Sequence, residues 1–142
     1  MGKYQTIDHT ADIALEISGN SLEDLFQTAY QAWYETVLGH IRFLSQGRKR
    51  IKLQADSPEE LLVNFISELN FWLMVKKWIA AGIEKLEISE KEGKLTLHMV
   101  ATGQSLDFKE QGLQAEVKAV TFHQMEIKQS GPNFYTRMVF DV

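Results

Sequence analysis

The sequence predicts an α+β domain: mostly antiparallel or mixed β-sheet structure covered by two amphipathic helices. Three observations predict it. Two segments carry apolar residues at helical spacing behind good N-caps, several others alternate apolar and polar residues with a period of two, and the helices do not interleave regularly with the strands. That last pattern disfavours a doubly wound parallel sheet. A chain of 142 residues, 44% of them hydrophobic, suits one domain with one core. No repeat, low-complexity run or proline-rich linker suggests a boundary within 1–142.

The elements follow in order. Lys3 to Ser18 reads as two short strands around a turn at Asp8-His9-Thr10. In the second strand Ile13, Leu15 and Ile17 alternate with Ala14, Glu16 and Ser18, and Gly19-Asn20 ends it. Ser21 caps a helix running to about Leu38, with Glu23 and Asp24 at its positive end. Leu22, Leu25, Phe26, Ala29, Ala32, Trp33 and Val37 form its apolar stripe, and Gly39 stops it. Arg48-Lys49-Arg50-Ile51-Lys52-Leu53 reads as a strand with one solvated face. Ser57-Pro58-Glu59-Glu60 combines a capping serine, a first-turn proline and a capping-box glutamate. Leu61, Leu62, Phe65, Ile66, Leu69, Trp72 and Leu73 then face the core, while Trp78, near the end of that helix, fits either core or a contact surface. Beyond Gly82, Ile83 to Ser89 and Lys94 to Val100 read as a hairpin around Lys91-Glu92-Gly93. Ala115 to Gln129 is strand-like with room for a bulge, and Phe134 to Val142 supplies a last strand.

Composition narrows the chemistry. With no cysteine, disulfides, thiolate metal sites and a cysteine nucleophile are excluded. The histidines at 9, 40, 98 and 123 lack the spacing of a helix-borne zinc site, and there is neither a phosphate-cradling glycine loop nor a serine nucleophile elbow. The polar start Met1-Gly2-Lys3-Tyr4-Gln5 is unlike a signal peptide, and no apolar run is long enough for a membrane span. Together these fit a cytoplasmic protein with no membrane partner. A net charge of −4 argues against a general phosphate-backbone binder, so RNA contact is expected to be indirect or confined to a small patch.

What remains is a set of carboxylates at element ends. Asp8, His9 and Asp12 fall within five residues at a strand-turn-strand junction, able either to ligate a hard divalent ion or simply to shape the turn. Asp141 and the Val142 terminal carboxylate concentrate negative charge after a sheet-bound run, with Lys118 and His123 on the preceding strand as neighbours. Asp56 is a further candidate, or else serves helix entry. Oxygen ligands favour calcium, magnesium or manganese, whereas His9 or His123 in the shell would shift the preference toward a transition metal.

Taken together, these pieces resemble one family. His9-Thr10-Ala11-Asp12-Ile13-Ala14 is similar to the His-Thr-Ala-Asp-Ile-Gly opening of the archeases. Leu25-Phe26, Asp56-Ser57-Pro58-Glu59-Glu60-Leu61-Leu62, Lys118-Ala119-Val120-Thr121-Phe122-His123 and the closing Asp141-Val142 match in order. The resemblance covers essentially the whole chain. Two positions depart from it: Gln104 follows Gly103 where the family has glutamate, and Phe122 stands where it tends to have tyrosine. The resemblance implies a non-enzymatic activator of an RtcB-type RNA ligase that promotes ligase guanylation and turnover in tRNA splicing or RNA repair. It implies a divalent ion held by Asp12 and Asp141, with the Val142 carboxylate or Asp56 as further ligands and Lys118 as a functional residue. The alternative it carries is a chaperone-like modulator of a tRNA methyltransferase or other RNA-modifying enzyme. An independent hydrolase ranks last, because no nucleophile or substrate pocket is legible.

Overall fold

The computed structural model describes residues 2–7, 12–107, 112–121 and 125–142. The first sheet begins with β1 (Lys3–Ile7) and β2 (Asp12–Gly19), antiparallel from Lys3 opposite Ser18 to Ile7 opposite Ala14. Helix α1 (Leu22–Leu38) follows directly. Ser21 Oγ accepts the Asp24 N–H at 3.0 Å, and Gly39 closes the helix at φ 66°, a left-handed conformation that glycine adopts without steric cost. The strand β3 (Gly47–Ala55) leads into α2 (Pro58–Met74). There Ser57 Oγ accepts the Glu60 N–H at 3.1 Å, but Glu60 reaches back to the Asp56 N–H (3.4 Å) rather than to that of Ser57, so the capping box is not fully reciprocal.

After α2 the regular elements among the described residues are strands, and the first two are longer than the sequence pattern implies. Strand β4 runs from Trp78 to Lys91, straight through Gly82. Gly82 is thus not a boundary; register shifts between Ala80 and Gly82 and between Ile83 and Lys85 absorb it as bulges. The turn to β5 (Lys94–Ser105) has positive φ at Glu92 (54°) and Gly93 (79°), the signature of a tight type I′ hairpin. The expected long strand over 115–129 is instead two short ones, β6 (Ala119–Thr121) and β7 (Lys128–Ser130), both pairing with β8 (Asn133–Asp141). Six residues separate Thr121 from Lys128, whereas only three separate their partners Val139 and Tyr135, so one continuous ladder is impossible.

The result is two antiparallel sheets, β1-β2-β8-β6 with β7 also on β8, and β3-β5-β4. Each helix touches both sheets. Among the described residues no helix is long and apolar enough to cross a membrane. One core joins the layers: Phe26 of α1 meets Phe65 of α2 with ring centroids 5.5 Å apart, and Trp33, Leu15, Ile17, Leu97 and Phe140 are buried around them. Trp78 packs edge-on against Trp72 at 5.5 Å, with the Lys49 ammonium 5.2 Å from its ring centroid. It is a partly buried rim of the core. Two phenol tips are satisfied at the edges of this core: Tyr30 donates to the Ala80 carbonyl at 2.6 Å, and Tyr4 to Glu35 Oε2 at 2.6 Å. Burial and then the Glu35 carboxylate push the Tyr4 phenol up to about 12, and burial likewise raises Tyr30.

Candidate functional site

The pairing of β2 with β8 decides where the carboxylates fall. Along these strands Ile13, Leu15 and Ile17 stand opposite Phe140, Met138 and Thr136, and this set faces the core. The intervening positions face outward, and at the end of that outer row Asp12 stands opposite Asp141. Residues opposed in an antiparallel pair project to the same face with Cβ atoms about 5 Å apart. Two residues 129 positions apart in sequence therefore present their carboxylates side by side. Asp141 is exposed and Asp12 half-buried, and among the described residues no lysine, arginine or histidine forms an ion pair with either. Like charges in opposed positions destabilise a sheet, so the pair is an arrangement that folding alone would avoid. Val142 follows directly and is 38% exposed.

Lys118 reaches the same place by another route. Its N–H donates to the Asp141 carbonyl at 2.7 Å, and Ala119 pairs with Asp141 on the side away from Asp12. The segment that delivers it is pinned by both helices. The Gln114 N–H donates to the Val37 carbonyl (2.7 Å) at the end of α1, and the Asn70 side-chain amide of α2 donates to the Val117 carbonyl (2.7 Å). Asn70 Oδ1 in turn accepts the Trp33 indole N–H at 3.0 Å. One amide thus joins α1, α2 and the residue before Lys118. The sequence reading missed Asn70; the signal was an amide interrupting the stripe between Leu69 and Trp72.

The other sequence candidates are not brought to this point. Asp56 follows β3 on the second sheet, where its carboxylate meets Lys94 Nζ at 3.2 Å. Asn70 lies 14 positions further on, most of them in α2, an axial distance of roughly 20 Å. Near that entry to α2, Glu59 accepts the Ile127 N–H at 2.8 Å. Gln104, where the resemblance expects glutamate, holds the 41–46 loop by accepting the Leu44 N–H. Its neighbour Gly103 is a steric requirement, since a Cβ there would overlap the Ile79 carbonyl. Asp8, His9, Phe122 and His123 lie outside the described residues. Among the described residues no group of three or more His, Cys, Asp or Glu side chains gathers closely enough to hold a metal. The opposed Asp12 and Asp141 are two such side chains, one short of that number.

Known proteins give this geometry a context. The model of the archease protein family (MTH1598/TM1083) matches residues 4–142. The archease of Methanosarcina acetivorans is 28% identical over 140 residues, covering 99% of this chain and 96% of that protein. The archease of Pyrococcus furiosus is 29% identical over 128 residues, covering 90% and 89%. Among solved structures, that of Methanobacterium thermoautotrophicum protein 1598 superposes with a TM-score of 0.81 at 27% identity, covering 98% of each chain. An archease of Thermotoga maritima, described as a possible chaperone, gives a TM-score of 0.64 at 25% identity, covering 97% of this chain and 96% of that one. With its α+β fold and nearly its whole length accounted for, the chain belongs to the archease family.

Proposed function

We propose that this protein is a non-enzymatic accessory factor of an RtcB-type RNA ligase, acting in the cytoplasm to promote ligase guanylation and turnover in tRNA splicing or RNA repair. The observation that supports this reading is the opposition of Asp12 and Asp141 at an exposed sheet end, without a cationic partner among the described residues. The carboxylates at this sheet end suit a hard divalent ion, calcium, magnesium or manganese, because they are oxygen donors and no thiol exists. Asp12, Asp141 and the Val142 main-chain carboxylate would hold it, and Lys118, an exposed residue whose N–H bonds the Asp141 carbonyl, would temper the negative charge. Such an ion supplies positive charge of the kind that phosphate oxygens need during nucleotidyl transfer. The chain's own task is to carry the carboxylates on a rigid sheet end to the partner's nucleotide, then to withdraw. The covalent chemistry stays on the ligase.

Two measurements test this. In calorimetric titration of the protein alone, calcium or manganese should bind to the wild type and at least about 10-fold more weakly to Asp12→Ala and Asp141→Ala. In GTP-dependent guanylation of the cognate ligase, the same variants should lose the stimulation that the wild type gives. Undiminished stimulation by both variants would falsify the carboxylate mechanism.

A second reading rests on a different observation. Phe71 (43% exposed) on α2 and Val75 (60%) at its C-cap stand one turn apart, beside the groove that α2 makes with residues 116–120. An apolar face of this kind suits a chaperone-like factor for a tRNA methyltransferase or another RNA-modifying enzyme, in keeping with the description of the Thermotoga relative. Co-purification with a methyltransferase that Phe71→Asp abolishes, alongside unchanged ligase stimulation by that variant, would favour it.

A further inference from the structure

The outer face of the three-stranded sheet is cationic in a chain whose net charge is −4. Along β3, Arg48, Arg50 and Lys52 occupy alternate, exposed positions and share the solvent side, while Lys49, Ile51 and Leu53 turn inward. Across the register, Arg50 stands opposite Val100 and Val100 opposite Lys85; Lys52 stands opposite His98 and His98 opposite Glu87. These side chains line one shallow concavity with Val100 in its floor. Glu84 takes Arg48 at 2.8 Å and Glu87 takes Lys85 at 3.5 Å, both in exposed pairs that exchange partners at little cost. Arg50 and Lys52 form no ion pair with any described residue.

We infer that this face binds the phosphodiester backbone of a single-stranded nucleic acid. Alternate residues of a strand are about 6.6 Å apart, close to the separation of successive phosphates in an extended strand. The Arg48-Arg50-Lys52 row is therefore in step with a phosphate row, and a guanidinium engages a phosphate through two parallel N–H bonds. The surroundings separate this partner from an acidic protein. Among the described residues the exposed large hydrophobics, Ile41, Leu44, Phe71, Val75, Tyr135 and Val142, all belong to other elements than the strands of this sheet. A protein interface wants an apolar or aromatic centre and few lysines, whereas a nucleic-acid interface is polar and positive. The sheet face also goes beyond edge protection. β3 is an edge strand, and charge of either sign keeps an edge from pairing, but only positive charge serves a phosphate row. The expectation from net charge that RNA contact would be indirect or confined to a patch thus narrows to this patch. It does not depend on the ligase reading.

The test is fluorescence anisotropy of a labelled mixed-sequence single-stranded RNA titrated with the full chain. Three phosphate contacts give a slope of about −2 for log affinity against log salt, or roughly 20-fold weaker binding at 200 mM than at 50 mM. Arg50→Gln with Lys52→Gln should flatten the slope to about −0.7, the value for one remaining contact. Arg50→Glu with Lys52→Glu keeps the edge charged and the core untouched, and should lower affinity at least about 10-fold. Asp12→Ala with Asp141→Ala should bind RNA as the wild type does, which keeps this test separate from that of ligase activation. The inference fails if the reversed variant binds as well as the wild type, or if polyglutamate binds the face more tightly than RNA, which would assign it to an acidic polypeptide.

Discussion

The two sheets use the same device, one face on the helices and one in water, and load their wet faces with opposite charge in different directions. In the five-stranded sheet the charge lies across strands: Asp12 of β2 against Asp141 of β8. In the three-stranded sheet it lies along a strand, as Arg48, Arg50 and Lys52 of β3. The difference is informative because the two arrangements cost differently. Alternate residues of one strand keep like charges about 6.6 Å apart, whereas opposed residues bring them to about 5 Å. Water and salt dissipate the first; the second persists as a local conflict that a bound cation would resolve. The acidic end reads as a point site and the basic face as an extended one.

Perturbations that strike one region and spare the other sharpen this contrast. The largest structural effect is expected from Asn70→Leu. It leaves the Val117 carbonyl and the Trp33 indole without their partner and should destabilise the chain by about 1–3 kcal/mol in urea unfolding. Amide exchange should accelerate around 117–121 while β3 keeps its protection; equal acceleration in both would mean that the acidic end has no separate anchorage. A smaller loss, about 1 kcal/mol, is expected for Ser57→Ala, whose hydroxyl caps α2 where β3 delivers the chain. The smallest effect has the opposite sign. Without divalent ions, Asp141→Asn should stabilise the protein by up to about 1 kcal/mol by removing the opposed like charge, and the gain should shrink in high salt. A destabilised Asp141→Asn protein would show that the pair is a structural contact.

Much of this fold was legible in the sequence because its signals are local. Ser21, Ser57-Pro58 and Gly39 set helix ends through bonds that span three or four residues, and Glu92-Gly93 makes its turn alone. What stayed hidden depends on partners distant in sequence. Gly82 looked like a stop, but pairing with Thr102 carries the strand through it. The 115–129 stretch looked continuous, but the register against β8 divides it. Asp56 opened a matching motif of its own, yet the fold leaves it by the second sheet beside Lys94. The site shows the same limit. Asp12 and Asp141 were recognisable through a family resemblance, but their opposition is a matter of register. Asn70 carried no motif, since its partners Trp33 and Val117 lie 37 and 47 residues away.

The place of β8 has a consequence for how the molecule comes into being. It is the last strand in sequence, yet it lies inside its sheet, with β2 on one side and β6 and β7 on the other. During synthesis β2 and the helices emerge with that slot vacant, and their apolar faces wait for Phe140 and Met138. Pairing over so long a sequence distance is slow and comes late. The two aspartates meet only when residues 133–141 have cleared the ribosome and slid into the slot. A chain that lacks β8 therefore has no acidic pair, and the opposition of Asp12 and Asp141 arrives in one step with the closing of the sheet.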